Sequence, residues 1–214
     1  MPGTLLAYDA DFPRANAPSG PIYNHPSEAE LREHQYPAPY RLLPLRQGLA
    51  AEAYCDQIAS AASAMRRLDR LILFGHGRVV QAATPSGPRP VTTGIIIGNE
   101  DITQYNAHYL SPIRRHMARG GMAELWVCDA AAAGEAGGQS GERLCTAIAR
   151  ALRVPVKAAR ETQRYTSGAD QREIPGGGWQ STVRFLPWEG PLVFFRPNGT
   201  TRPVAEARGS TATP

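Results

Sequence analysis

Cysteine is scarce in this chain. Cys55, Cys128 and Cys145 cannot all pair, and none stands in a Cys-x-x-Cys or His-x-x-x-His arrangement, which argues against a disulfide framework and against a metal site. No apolar run approaches the roughly 18 residues that a membrane span needs. The opening Met1-Pro2-Gly3-Thr4 lacks the basic region and apolar stretch of a signal peptide. The chain is therefore expected in a reducing cytoplasm, or to leave by a route that needs no cleavable signal. No run of basic residues is interleaved with aromatics. The 23 Lys and Arg are scattered among 19 Asp and Glu, so the formal charge of +4 reads as a solvated basic surface and no nucleic-acid partner is expected. Neither a Gly-x-x-x-x-Gly-Lys-Ser/Thr loop nor a Gly-x-Gly-x-x-Gly turn follows a strand, so no nucleotide is implied, and no metal or organic cofactor is expected.

What is present suits one folded domain. The 214 residues are 42% apolar, enough to bury a substantial core, with many alanines standing in for the aromatics, which make up 7%. Residues 1–44 carry eight prolines and read as an arm whose short runs at 5–8 and 41–43 are edge strands. Residues 45–200 read as an α/β domain and residues 201–214 as a disordered tail.

Between 49 and 65 the apolar positions Leu49, Ala53, Tyr54, Ile58, Ala61, Ala62 and Met65 fall at helical spacing, with Cys55 beside them as a packing residue. The run 71–74 predicts a strand buried on both faces, stopped by Gly75. Gly94 to Gly98 predicts another strand, 102–117 a mostly helical stretch broken at Pro112 and ended by Gly120-Gly121, and 125–127 the next strand. Ser140 is a candidate N-cap for a helix whose face is Leu144, Cys145, Ile148 and Leu152. A strand over 154–158, a polar loop over 167–178 and closing strands over 179–186 and 192–195 complete the pattern. Alternating strands and helices predict a mainly parallel sheet with helices on both faces.

In such a sheet, ligands gather outside the carboxyl ends of the strands. His76 directly follows one predicted strand, inside Gly75-His76-Gly77, and Cys128 directly follows another, ahead of Asp129. A thiolate is a nucleophile, and a nearby histidine takes its proton or stabilises it as an ion pair. The amides of Gly77 and Cys128 are candidates for an oxyanion hole. Asp129 is a candidate to orient His76 or to line a pocket for basic side chains, although its charge also raises the thiol pKa. Glu100 and Asp101 either bind substrate or cap the next helix. His25, His34, His108 and His116 read as surface residues, and a lone Cys128 would read as a core thiol. Gly138-Gln139-Ser140-Gly141-Glu142 lacks both the final glycine and the preceding strand of a serine-hydrolase elbow. Asn198-Gly199-Thr200 meets the glycosylation pattern, which carries no meaning in a bacterial protein.

The segments Leu-Ile-Leu-Phe-Gly-His-Gly (71–77), Gly-Ile-Ile-Ile-Gly-Asn (94–99), Leu-Trp-Val-Cys-Asp-Ala-Ala (125–131) and Gly-Glu-Arg-Leu-Cys-Thr-Ala-Ile-Ala-Arg-Ala-Leu-Arg-Val-Pro-Val (141–156) resemble the core of caspase-like cysteine peptidases. That group includes caspases, gingipains, clostripain, separases, self-cleaving toxin domains and bacterial CHAT-type domains. The resemblance spans about residues 49–160, and the 52 residues from His76 to Cys128 agree with the roughly 50 of caspases. Val-Cys-Asp-Ala replaces the caspase Gln-Ala-Cys-x-Gly, so aspartate specificity is not carried over. The ending at 188–199 is similar to those of bacterial toxin and effector modules.

The resemblance implies a caspase-hemoglobinase-like three-layer sandwich and a bacterial cysteine endopeptidase with a catalytic His76/Cys128 dyad. It also implies a protein or peptide substrate, and an immunity or inhibitor protein as partner if the chain is an effector or toxin. The alternative is a catalytically silent binding domain of the same fold. The loops 78–93 and 160–179 are expected to wall the crevice.

Overall fold

The computed structural model describes residues 2–10, 13–17, 20–46, 48–82, 87–96, 100–163, 165–173, 179–185 and 187–204. Along the chain run β1 (Gly3–Asp9), β2 (Pro13–Ala17), β3 (Gly20–His25), α1 (Glu28–Glu33), β4 (Tyr40–Leu45) and α2 (Ala51–Ala64). Next come β5 (Leu68–Phe74), β6 (His76–Ala82), β7 (Arg89–Ile96), β8 (Ile102–Thr103), a 3-10 helix (Ala107–His116) and β9 (Met117–Trp126). The chain ends through α3 (Gly141–Leu152), β10 (Val156–Ala159), β11 (Tyr165–Glu173), β12 (Trp179–Phe185), β13 (Leu192–Phe195) and β14 (Thr201–Pro203).

A seven-stranded sheet, ordered β14-β13-β10-β9-β5-β1-β4, carries the core. From β4 to β10 every neighbouring pair is parallel, while β13 lies antiparallel to β10 and β14 antiparallel to β13. Alternate residues of its central strands serve two cores, as the two-residue period of a strand requires. Leu5, Ala7, Leu71, Leu73, Ala123 and Leu125 face α2, the 3-10 helix and α3. Leu6, Tyr8, Ile72, Phe74 and Trp126 face Leu31 of α1, Val183 and Phe185 of β12, and Trp188. The molecule is thus an α/β three-layer arrangement in which helices line one face, and the other is shared between α1 and a four-stranded sheet ordered β11-β12-β3-β2.

The stretch 71–74 lies in β5 without alternating polarity because both faces are buried. α3 has its N-cap at Ser140, whose hydroxyl accepts from the amide of Arg143 at 3.1 Å. Leu144, Cys145, Ile148 and Leu152 of α3 are fully buried, each of the larger apolar ones contributing about 1.5–3 kcal/mol.

Five expectations change in the structure. The run 5–8 lies inside the sheet, between β4 and β5, instead of at an edge, and all seven residues of β1 are buried. The 94–98 stretch enters a separate antiparallel sheet, β6-β7-β8, and its residues 97 and 98 lie outside the described residues. The helix around Pro112 is a 3-10 helix, and Gly120-Gly121 lies within β9, where Gly120 takes φ +83° at an irregularity in the pairing with β5. Much of the polar stretch 167–178 is β11, paired antiparallel with β12. Thr201–Pro203 pairs with β13, and residues 205–214 lie outside the described residues.

The N-terminus of α2 has no side-chain cap of its own at Ala50. Instead Glu100 reaches across from the loop before β8, and its Oε2 accepts from the amide of Ala51 at 2.9 Å. A carboxylate there satisfies an orphan donor and complements the helix dipole. Glu100→Ala is expected to lower stability by about 1 kcal/mol, with Glu100→Gln retaining part of it, as read by urea denaturation followed by circular dichroism. Equal stability of wild type and Glu100→Ala would refute the cap.

Candidate functional site

The carboxyl ends of β5 and β9 are side by side. Phe74 sits opposite Trp126 in the parallel register, and the amide of Gly75 donates to the carbonyl of Trp126 at 3.4 Å. His76 and Cys128, each two residues further along, therefore leave adjacent strands at the same level of the sheet. His76 is half-buried and opens β6, where it pairs with Ile96 of β7. Cys128 is half-buried and follows β9 after Val127.

The β6–β7 hairpin docks against the chain carrying the thiol. The hydroxyl of Thr92, fully buried, donates to the carbonyl of Cys128 at 2.6 Å. A Cβ on Gly77 would lie 2.6 Å from that carbonyl oxygen and 2.6 Å from Thr92 Oγ1. No side chain fits in that space, so glycine is required by close approach. Gly77 and Cys128, expected to share an oxyanion hole, are brought into backbone contact.

The thiol of Cys128 makes a long contact, 3.7 Å, to the carbonyl oxygen of Gln163. Burial is the main influence on its pKa and raises it. The backbone of Gln163 offsets part of that rise, and the negative charges of Asp129 and Glu189 add to it. Cys55 and Cys145 are buried in the core, and burial pushes the Cys55 thiol up to about 12 and the Cys145 thiol further still. In this conformation Cys128 is a protonated thiol at neutral pH and the most accessible of the three.

Asp129 takes a left-handed conformation, φ +53°, in the tight turn that follows, with the amide of Ala132 donating to its carbonyl at 3.0 Å. The residue is buried, and its carboxylate accepts through Oδ2 from the hydroxyl of Thr162 at 3.0 Å. Burial raises its pKa, Thr162 opposes the rise and Glu161 adds to it. Glu100 and Asp101 are both engaged elsewhere. Glu100 caps α2 rather than the helix that follows it in sequence, and Asp101 forms a two-point pair with Arg78, at 2.6 and 3.0 Å. That pair ties β6 to the segment entering β8.

Four residues unmarked in the sequence matter here: Thr92, Glu161, Gln163 and Glu189. Gln163 is 5% exposed, and its side chain donates to the carbonyls of Glu161 and Glu189 at 2.9 Å each and accepts from the amide of Glu189 at 3.1 Å. It lies at the start of the segment read as a wall, but nothing in the local sequence marks its partners. Two of the histidines expected at the surface have structural roles. His25 Nδ1 meets Tyr8 Oη at 3.1 Å, and His34 packs against Trp126 and Phe185 while its Nε2 meets the carbonyl of Phe185.

Carbamidomethylation of the native protein across pH 6–10 is expected to modify Cys128 first, more slowly than a free cysteine. The rate should climb about tenfold per pH unit to a midpoint above the ordinary 9.0. Asp129→Asn removes a like charge and should move the midpoint down, as intact mass against time would reveal. A midpoint near 7 in wild type would contradict this environment.

Among the described residues no group of three or more His, Cys, Asp and Glu could hold a metal ion, and no helix is long and apolar enough to cross a membrane. Comparison with family models, curated proteins and solved structures finds no match to the chain.

Proposed function

We propose that the chain is a cysteine endopeptidase of caspase-like fold, with Cys128 as nucleophile and His76 as the group that moves protons. The observation that supports this most is that His76 and Cys128 leave neighbouring parallel strands at one level of the sheet. An open crevice at the carboxyl ends of the strands is where an α/β sheet presents its chemistry.

In the proposed reaction His76 takes the Cys128 proton as the sulfur attacks a peptide carbonyl, and the oxyanion is held by the amides of Gly77 and Cys128. His76 then gives the proton to the leaving amine, and water hydrolyses the thioester to release the acid and the free thiol. A bound peptide has to supplant the Cys128 contact with Gln163 and bring the thiol towards His76, since the present surroundings raise the thiol pKa. The substrate is then a protein or peptide, with an immunity or inhibitor protein as partner if the chain is a bacterial effector or toxin.

The raised thiol pKa favours a second reading, in which the same fold is a catalytically silent binding domain.

Labelling with a thiol-directed peptide electrophile at neutral pH, read by intact mass, separates the two. The peptidase reading expects rapid modification of Cys128, lost in Cys128→Ala and His76→Ala, with Cys55 and Cys145 unmodified. Slow labelling that His76→Ala leaves unchanged would sink it in favour of the binding domain.

A further inference from the structure

The arginines are dispersed in the sequence, but the fold gathers a set of them at the amino ends of the parallel strands, the end of the sheet opposite Cys128. Arg66 and Arg67 lead into β5, and Arg114 and Arg115 lead into β9. Arg153 precedes β10, and Arg196 follows β13, which runs antiparallel to β10. Leu68 pairs with Met117, and Val156 with both Ala123 and Phe195, so these chain ends lie side by side. Where β9 departs from its register with β5, Arg119, next to left-handed Gly120, joins the same row.

All of these arginines are exposed, and none forms an ion pair among the described residues. Arg115 Nε donates to His116 Nε2 at 3.0 Å, which leaves the guanidinium charge uncompensated. Asp69, at the start of β5, is taken up by its neighbour Arg70 at 2.8 Å. At the opposite end the charges are matched within the molecule, Asp101 with Arg78, Glu135 with Arg143 and Glu142 with Arg160. Arg66 and Arg153 have φ of +64° and +56° just past α2 and α3, positions that glycine usually takes. Helix dipoles favour a cation there, but each of the helices ending here supplies only about half a negative charge. The row keeps a large positive excess.

Four neighbouring strands about 4.8 Å apart make a row roughly 15 Å wide. A DNA duplex carries one phosphate charge per about 1.7 Å of its axis, so a row of that width meets several phosphates at once. Arginine matches a phosphate with two parallel N–H groups. The exposed large apolar side chains among the described residues, Val79 and Tyr105, lie in β6 and after β8. This end therefore offers no ring on which unpaired bases stack and no apolar wedge for a lipid surface. With guanidinium groups as its reading elements, the row suits DNA, whose backbone presents phosphates without 2′-hydroxyls.

We propose that this end of the molecule binds the phosphate backbone of duplex DNA without reading its sequence, independently of the peptidase reading.

The test is fluorescence anisotropy of a labelled DNA duplex of about two helical turns, titrated with the full-length protein between about 50 and 200 mM salt. Wild type is expected to bind with a log–log salt slope of about −3.6 or steeper, as for four phosphates neutralised. Arg114→Gln/Arg115→Gln/Arg119→Gln should flatten the slope by about 2.7, and Arg66→Gln/Arg67→Gln by about 1.8. Arg32→Gln/Arg46→Gln, which removes as much charge as that pair from exposed positions outside the row, should leave the slope unchanged. Thermal melting checks folding, and if the triple variant does not fold, the pair at 66 and 67 carries the comparison. No binding at about 50 mM salt, equal slopes in wild type and the row variants, or equal impairment of the control variant would overturn the proposal. Tighter binding to an RNA duplex of the same sequence would also overturn it, as would binding to phosphatidylserine vesicles with none to DNA. The titration involves no catalysis, so each of these results leaves the peptidase reading intact.

Discussion

Burial of the parallel strands on both faces is the constraint from which the rest of the molecule follows. A strand that has helices on one side and an aromatic layer on the other cannot slip by one residue without exchanging its two cores. The register that sets Phe74 against Trp126 is therefore firmly specified. The aromatic layer reinforces it: Trp126 stacks on Phe185 with ring centres 4.6 Å apart and touches Trp188, over which Lys157 Nζ sits at 4.6 Å. With that register, His76 and Cys128 have little freedom in where their backbones emerge.

Beyond the strand ends, polar contacts complete the framing. Thr92 anchors the hairpin to the Cys128 carbonyl, and the absence of a side chain at Gly77 lets the hairpin come that close. On the opposite side, the turn through Asp129 is fixed to the end of β10, with the amide of Ala131 donating to the carbonyl of Ala159 at 2.8 Å. The thiol thus sits between two well-anchored segments. Burial above all favours the neutral sulfur, with Asp129 and Glu189 adding to it and the Gln163 backbone opposing it.

Much of the architecture was legible because it depends on local patterns. The helical stripe of α2, the Ser140 cap and buried face of α3, and the apolar runs of β5 and β9 all follow from the periodicity and capping chemistry of contiguous residues. What escaped depends on contacts between distant parts of the chain. That the Leu5–Tyr8 run lies inside the sheet is decided by β4 and β5 flanking it, and a proline-rich surrounding sequence suggested an edge. The β7 strand has the same apolar composition as a core strand, yet pairs locally with β6 and β8. Glu100 caps a helix some fifty residues before it, a partnership that no window of sequence contains. At the site, the strand-end positions of His76 and Cys128 were readable, whereas Thr92, Gln163 and Glu189 enter only through the folded path of the backbone.

Gln163 has a further consequence. Its amide joins the chain entering β11 to the chain leaving β12, 26 residues later in sequence, by two hydrogen bonds, and a third holds it to Glu161. The intervening segment is thus a cassette stapled at its roots. For a loop closed at both ends, doubling its length costs only about 0.6 kcal/mol of closure entropy. Insertions and replacements within that cassette can accumulate in evolution while the turn at Asp129 and the thiol stay in place.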